Sequence, residues 1–186
     1  MRIAAKALRQ YPWYLRLFFW NQRRKYGDVL IPAMLWARAP RLFLTIAALH
    51  GTLNRRSSPL EPALRSLVTV RISQLNHCSF CVDLNSALLA RRTDSLEKLG
   101  ALHEWRTNPL FSTREQAALE YAEAMTCSGS SVKDEVFTRL REFLADDGII
   151  ELTALIAFQN LSSKFNSALD VPSQGFCVRR VAGAGP

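Results

Sequence analysis

Histidine is scarce in this sequence, with three in 186 residues, and glycine and proline stand at only eight each. Such low Gly and Pro exclude a collagen-like or low-complexity chain, and charged residues at 22% do not indicate a disordered one. Long apolar runs are also missing. The stretch Leu42 to Leu49 falls far short of the roughly 20 residues a membrane span needs. Lys6, Arg9 and Arg16 interrupt the opening segment before Leu17-Phe18-Phe19-Trp20, so no secretory signal is predicted and a cytoplasmic location is expected. Acids are nearly absent from the first third. Residues 1–58 hold eleven Lys and Arg against one acid, whereas residues 59–186 hold thirteen against fifteen. The basic character therefore belongs to the N-terminal third, and the rest is too near neutral for a basic face across the whole fold. With no recognised nucleic-acid motif, nucleic acid is not an expected partner.

What the chain does have is 48% hydrophobic content, enough for a real core, and a length that suits one domain with an appendage. Its four cysteines are expected to be reduced thiols at rest, because the cytosol does not maintain structural disulfides. Cys78 and Cys81 form a CxxC; Cys127 and Cys177 stand alone and read as small buried hydrophobes.

The pattern along the chain predicts an all-α fold in three parts: a basic, aromatic-rich helical extension (1–58), a CxxC domain (59–177) and a C-terminal tail (178–186). Pro32 and Pro40 should break the apolar segment Val29 to Leu53 into two short helices. Leu64, Leu67, Val68, Ile72 and Leu75 follow helical spacing, although Val68 to Ile72 also alternates like a strand; the longer window favours helix. Asn76 reads as the N-cap of a helix from about His77 to Arg92. Capping boxes are predicted at Ser112 and Ser131, and Asp146-Asp147-Gly148 reads as a turn. A long last helix should follow, with Ile150, Ala154, Phe158, Leu161, Phe165 and Leu169 on its inner face, ending before Pro172.

On a helix, Cys78 and Cys81 at i and i+3, with Asn85 four further on, face the same way. Unpaired N–H groups and the dipole at a helix N-terminus favour a thiolate, which a second cysteine can capture as a disulfide. Zinc usually needs four ligands, and no second CxxC or paired-histidine spacing supplies the rest, so neither metal nor cofactor is expected. Two readings stay open on the motif alone: a redox dithiol, or two buried thiols on a core helix.

The segment Leu64 to Asp83 resembles the core motif of the alkylhydroperoxidase D-like (carboxymuconolactone decarboxylase) family. The likeness continues through Leu102-His103-Glu104-Trp105-Arg106, Phe111-Ser112, Ala118 to Ala124, Phe165 to Leu169 and Gln174-Gly175-Phe176-Cys177, in the family's order. The resemblance implies an all-helical fold assembling as trimers or hexamers, and a thiol peroxidase site. It gives Cys81 the role of attacking the hydroperoxide and Cys78 that of resolving cysteine.

The family's motif also carries a glutamate twelve residues before the first cysteine and a histidine four after the second, as a proton relay. Here those positions are Ser66 and Asn85, neither of which exchanges a proton near neutral pH. His77, Glu61, Asp83 and His103 are candidate replacements, His77 being nearest in sequence. Trp105 reads as a core aromatic and Arg106 as a possible lining residue; the amides of Gln159, Asn160 and Asn166 read as interface or capping groups.

The extension interleaves Tyr11, Trp13, Tyr14, Phe18, Phe19 and Trp20 with Arg9, Arg16, Arg23, Arg24 and Lys25. These aromatics are expected to pack on the helical core or a neighbouring subunit, with peripheral membrane contact as the alternative. The leading functional expectation is a thiol-dependent oxidoreductase using Cys81, Cys78 and His77, with a hydroperoxide or disulfide as substrate and a thiol reductant. A non-catalytic interaction or membrane-peripheral protein with the same fold comes second, and a carboxymuconolactone decarboxylase-like enzyme third.

Overall fold

Proline decides where the N-terminal third bends. Lacking an N–H, it is tolerated in a helix's first turn and stops one elsewhere. The computed structural model, which describes residues 1–93, 96–129 and 131–181, places Pro12 just ahead of α1 (Trp13–Tyr26), Pro32 in the first turn of α2 (Ile31–Trp36) and Pro40 as the first residue of α3 (Pro40–Leu53). A 3₁₀ turn at Leu8–Gln10 precedes α1. These elements form a small core of their own around Tyr11, Leu15, Phe19, Val29 and Phe43. The Tyr11 hydroxyl closes it by donating to Met34 O at 2.8 Å.

Among the described residues, the α-helices that follow are α4 (Pro62–Leu75), α5 (Ser79–Thr93), α6 (Glu97–Gly100), α7 (Thr113–Thr126), α8 (Asp134–Arg141), α9 (Asp146–Ala168) and α10 (Phe176–Val181), with a 3₁₀ turn at Ala101–Glu104. No strand occurs among the described residues, in keeping with the all-α expectation. The centre is α4, which packs against α5, α7 and α9. Leu64, Leu67, Val68, Val70 and Ile72 are all buried, on more than one side of the helix. A helix enclosed on all sides loses its polar stripe. This explains the strand-like alternation of Val68 to Ile72 in the sequence.

Several local expectations need correction. Asn76 ends α4 rather than starting α5, and α5 begins at Ser79. Ser112 does form the predicted capping box with Glu115, but Ser131 caps nothing, because the N-cap of α8 is Lys133. Asp134 and Glu135 in the first turn supply the favourable negative charge instead. For the same reason Asp146 and Asp147 open α9 rather than making a turn. Phe158 is buried on α9 as expected, together with Ile149, Leu152, Leu155, Ile156, Gln159, Ser163 and Asn166, whereas Ile150 and Leu161 face outward. Beyond Pro172 the chain forms α10, which crosses the expected start of the tail at residue 178; residues 182–186 of that tail lie outside the described residues.

Candidate active site

The turn between α4 and α5 sets the geometry of the CxxC. His77 adopts a left-handed conformation (φ 50°), its N–H donates to Gln74 O, and the N–H of Cys78 donates to Ser73 O, both at 3.0 Å. This is a Schellman motif with histidine at the position usually held by glycine. Cys78 then caps α5: its carbonyl accepts from Val82 N at 2.9 Å and its sulfur accepts from Cys81 N at 3.2 Å. The turn is tied to α9, since Ser167 Oγ donates to Asn76 O at 2.7 Å and Asn76 Nδ2 to Asn160 Oδ1 at 2.7 Å.

The Cys78 and Cys81 sulfurs lie at disulfide-bonding distance, with their Cα atoms 5.2 Å apart. Both are buried, at 1% and 4% exposure. The Cys81 sulfur accepts a hydrogen bond from Asn166 Nδ2 at 3.2 Å. An apolar cover lies over the pair: Leu35 from α2, Phe80 from α5, Val171 from the loop after α9, and Phe176 from α10. Trp36 stacks on Phe165 at 3.6 Å beside them.

The cover is fastened by Asp83. Its carboxylate accepts from Ser173 Oγ, Gln174 N, Phe176 N and Cys177 N at 2.8–3.0 Å. Burial pushes this carboxyl up, but the N–H and O–H donors outweigh it and hold it below the usual aspartate value. Gln174 carries the connection onward to the main chain at Val29 and Ile31. Asp83 is thus an anchor of the covering loop, a role its position two residues after Cys81 did not disclose.

The substituted relay positions do not meet. The Ser66 hydroxyl accepts from Arg92 at 2.7 Å, whereas Asn85 Nδ2 donates to Ser73 Oγ at 3.1 Å. Seven residues separate Ser66 from Ser73 along α4, about 10 Å at helical rise. Gln159 also donates to Ser73 Oγ, at 3.0 Å, so Asn85 joins a neutral amide and hydroxyl network.

The remaining candidates lie elsewhere. His77 is exposed, and neither sulfur is among its hydrogen-bond partners. Glu61 is exposed and pairs with Arg114; His103 is exposed beside Glu104. Trp105 is buried as expected, and its Nε1 donates to Glu123 Oε1 at 2.9 Å. Arg71 and Arg106 hold the same carboxylate. Two cysteines are corrected: Cys127 is exposed and Cys177 half-buried rather than both being core residues. Burial and the Asp83 carboxylate push the Cys177 thiol up, away from thiolate. Asn166, read from the sequence as an interface or capping group, is instead buried against the Cys81 sulfur; it falls within the Phe165 to Leu169 segment that carried the resemblance.

Among the described residues, no helix is long and apolar enough to cross a membrane, and no group of His, Cys, Asp and Glu is placed to hold a metal. Residues 40–124 match the carboxymuconolactone decarboxylase family. The chain is similar to protein YnjA of Escherichia coli K12, with 48% identity over 170 residues, 91% of this chain and 93% of that one. Its fold is similar to the alkylhydroperoxidase AhpD core of a peroxidase-related protein from Ralstonia eutropha JMP134. That match has a TM-score of 0.85 and 22% identity, and covers 95% of this chain and 94% of the other. Protein ATU0492 of Agrobacterium tumefaciens matches with a TM-score of 0.69 and 26% identity, over 74% of this chain and 94% of that one.

Proposed function

The chain belongs to the carboxymuconolactone decarboxylase family, and from that premise we propose that it is a thiol-dependent oxidoreductase that reduces organic hydroperoxides through Cys81 and Cys78. The observation that carries this reading is the buried disulfide at the start of α5, with each sulfur accepting a hydrogen bond. In the reduced protein the Cys81 thiolate attacks the terminal oxygen of the hydroperoxide. The O–O bond breaks, the alkoxide leaves and takes a proton from water as the alcohol, and Cys81 becomes a sulfenic acid. The Cys78 thiolate attacks that sulfur and expels hydroxide, which is protonated to water, leaving the disulfide. An external dithiol restores the thiols by exchange. Ser66 and Asn85 supply no proton, so solvent serves both departures.

The test is stopped-flow consumption of cumene hydroperoxide by the reduced protein, with mass spectrometry of the two cysteines. Formation of one Cys78–Cys81 disulfide per hydroperoxide consumed is expected. Unreacted thiols after exposure overturn the reading.

A second reading, of a protein that works at an anionic membrane surface, is favoured by α1. Trp13 is 71% and Trp20 58% exposed, beside the equally outward Leu17. Arg9, Arg16 and Arg23 line the groove next to them, and Arg24 lies over the Trp20 ring. Exposed indoles with flanking cations suit a headgroup layer.

A further inference from the structure

Asn166 lies in the last turn of α9, 1% exposed, with its main-chain carbonyl accepting from Val171 N at 3.0 Å. Of its side-chain amide, Nδ2 is spent on the Cys81 sulfur at 3.2 Å, and Oδ1 is buried with no hydrogen-bond partner. A buried amide oxygen without a partner is costly, and native structures seldom leave one so. Bonded to the same carbon as Nδ2, this oxygen lies within about 5.5 Å of the reacting sulfur. Leu35, Phe80, Val171 and Phe176, buried in one cluster with the pair, are apolar.

We propose that Asn166 is a catalytic residue of this site, donating through Nδ2 to the Cys81 thiolate and accepting through Oδ1 the O–H of the hydroperoxide. The inference rests on the thiol peroxidase reading above. Its chemistry suits an amide, which neither gives nor takes a proton. The hydrogen on the terminal oxygen need not move: when sulfur attacks that oxygen and the O–O bond breaks, the same O–H becomes the sulfenic acid O–H. Held by Oδ1, the terminal oxygen is aligned with the sulfur that Nδ2 holds, and the alkoxide leaves on the far side. A hydrogen bond from a neutral donor to a thiolate also lowers the thiol pKa by stabilising only the charged form. That suits a cysteine buried among apolar side chains, where burial alone raises the pKa.

The test uses the full chain with Cys78→Ser, with alkylation of Cys81 read by mass spectrometry apart from that of exposed Cys127 and half-buried Cys177, and two substitutions of similar volume: Asn166→Leu and Asn166→Asp. Circular dichroism verifies folding, and the Asp variant carries the test if the Leu variant does not fold. Both are expected to slow iodoacetamide alkylation of Cys81 at pH 7 by about tenfold, with the midpoint of its pH profile raised by about one unit. Rates within twofold of the parent overturn the proposal. With Cys78 restored, single-turnover oxidation by cumene hydroperoxide should fall in Asn166→Leu by about a further tenfold beyond its alkylation loss, since both contacts are gone. Equal losses in the two assays overturn the role of Oδ1. Failure of the unsubstituted protein to consume hydroperoxide would sink the peroxidase reading and the Oδ1 contact with it, while the alkylation assay would still decide the Nδ2 contact.

Discussion

Gln174 Oε1 accepts the main-chain N–H of Ile31 at 2.9 Å, binding residues 143 positions apart across the top of the CxxC. The same side chain donates to Val29 O at 3.2 Å, so one glutamine bridges the segment that enters α2 to the loop that enters α10. Leu35 and Phe176, delivered by those two segments, both lie on the disulfide.

Gln174→Ala should therefore loosen the cover without altering the sulfurs. Two lost hydrogen bonds of about 1 kcal/mol each make opening easier by about tenfold or more. The rate at which dithiothreitol reduces the disulfide in the folded protein should rise accordingly. An unchanged rate would show that reductant reaches the pair by a path that does not involve α2.

Asp83→Asn replaces an acceptor of several donors with a group that turns an N–H toward other N–H groups. A loss of about 1–3 kcal/mol is expected, read as a lower denaturant midpoint. The pH dependence has a defined sign. The folded protein holds the Asp83 carboxyl below its ordinary value, so its contribution is present above about pH 4 and disappears as pH falls through the lower, folded value. As pH falls below about 4 the variant should lose less stability per pH unit than the parent. Parallel curves would count against the anchor.

His77→Gly should stabilise the protein by up to about 1 kcal/mol, since only glycine takes the left-handed conformation without a Cβ conflict. Hydroperoxide turnover should stay within twofold, because the imidazole is exposed and hydrogen-bonds neither sulfur. A turnover loss beyond tenfold in a more stable variant would return His77 to the chemistry.

Trp13→Ala with Trp20→Ala removes two exposed indoles from α1. The double variant should lose binding to vesicles containing phosphatidylserine and keep the parent's sedimentation coefficient. A smaller particle with unchanged vesicle binding would assign that face to a subunit contact instead.

The sequence made the fold and the reacting pair legible for reasons that can be traced. The prolines located the breaks in the first third, Ser112 with Glu115 announced α7, and Cys78 with Cys81 gave a spacing meaningful only on a helix start. What it hid has two physical causes. Reading α9 by its large apolar residues selected Ile150 and Leu161, which face outward. The buried stripe is partly polar, and Gln159, Ser163 and Asn166 each satisfy or seek a partner inside. Hydrophobic periodicity cannot find a polar face whose function is to hydrogen-bond in the interior. The cover was hidden differently: Gln174 to Ile31 and Asp83 to Cys177 are long-range contacts, for which local patterns carry no signal.

The helices that carry the disulfide and the segments that cover it come from different parts of the chain. Cys78 and Cys81 stand at the start of α5 in the middle of the sequence, whereas the buried cover, Phe80 apart, is drawn from residues near both ends, 30–36 and 171–176. Changes in those end segments are thus separated from the packing of α4 against α7 and α9. Substitutions near the two termini can widen, narrow or re-polarise the approach to the sulfurs and leave the Cys78–Cys81 pair itself unaltered.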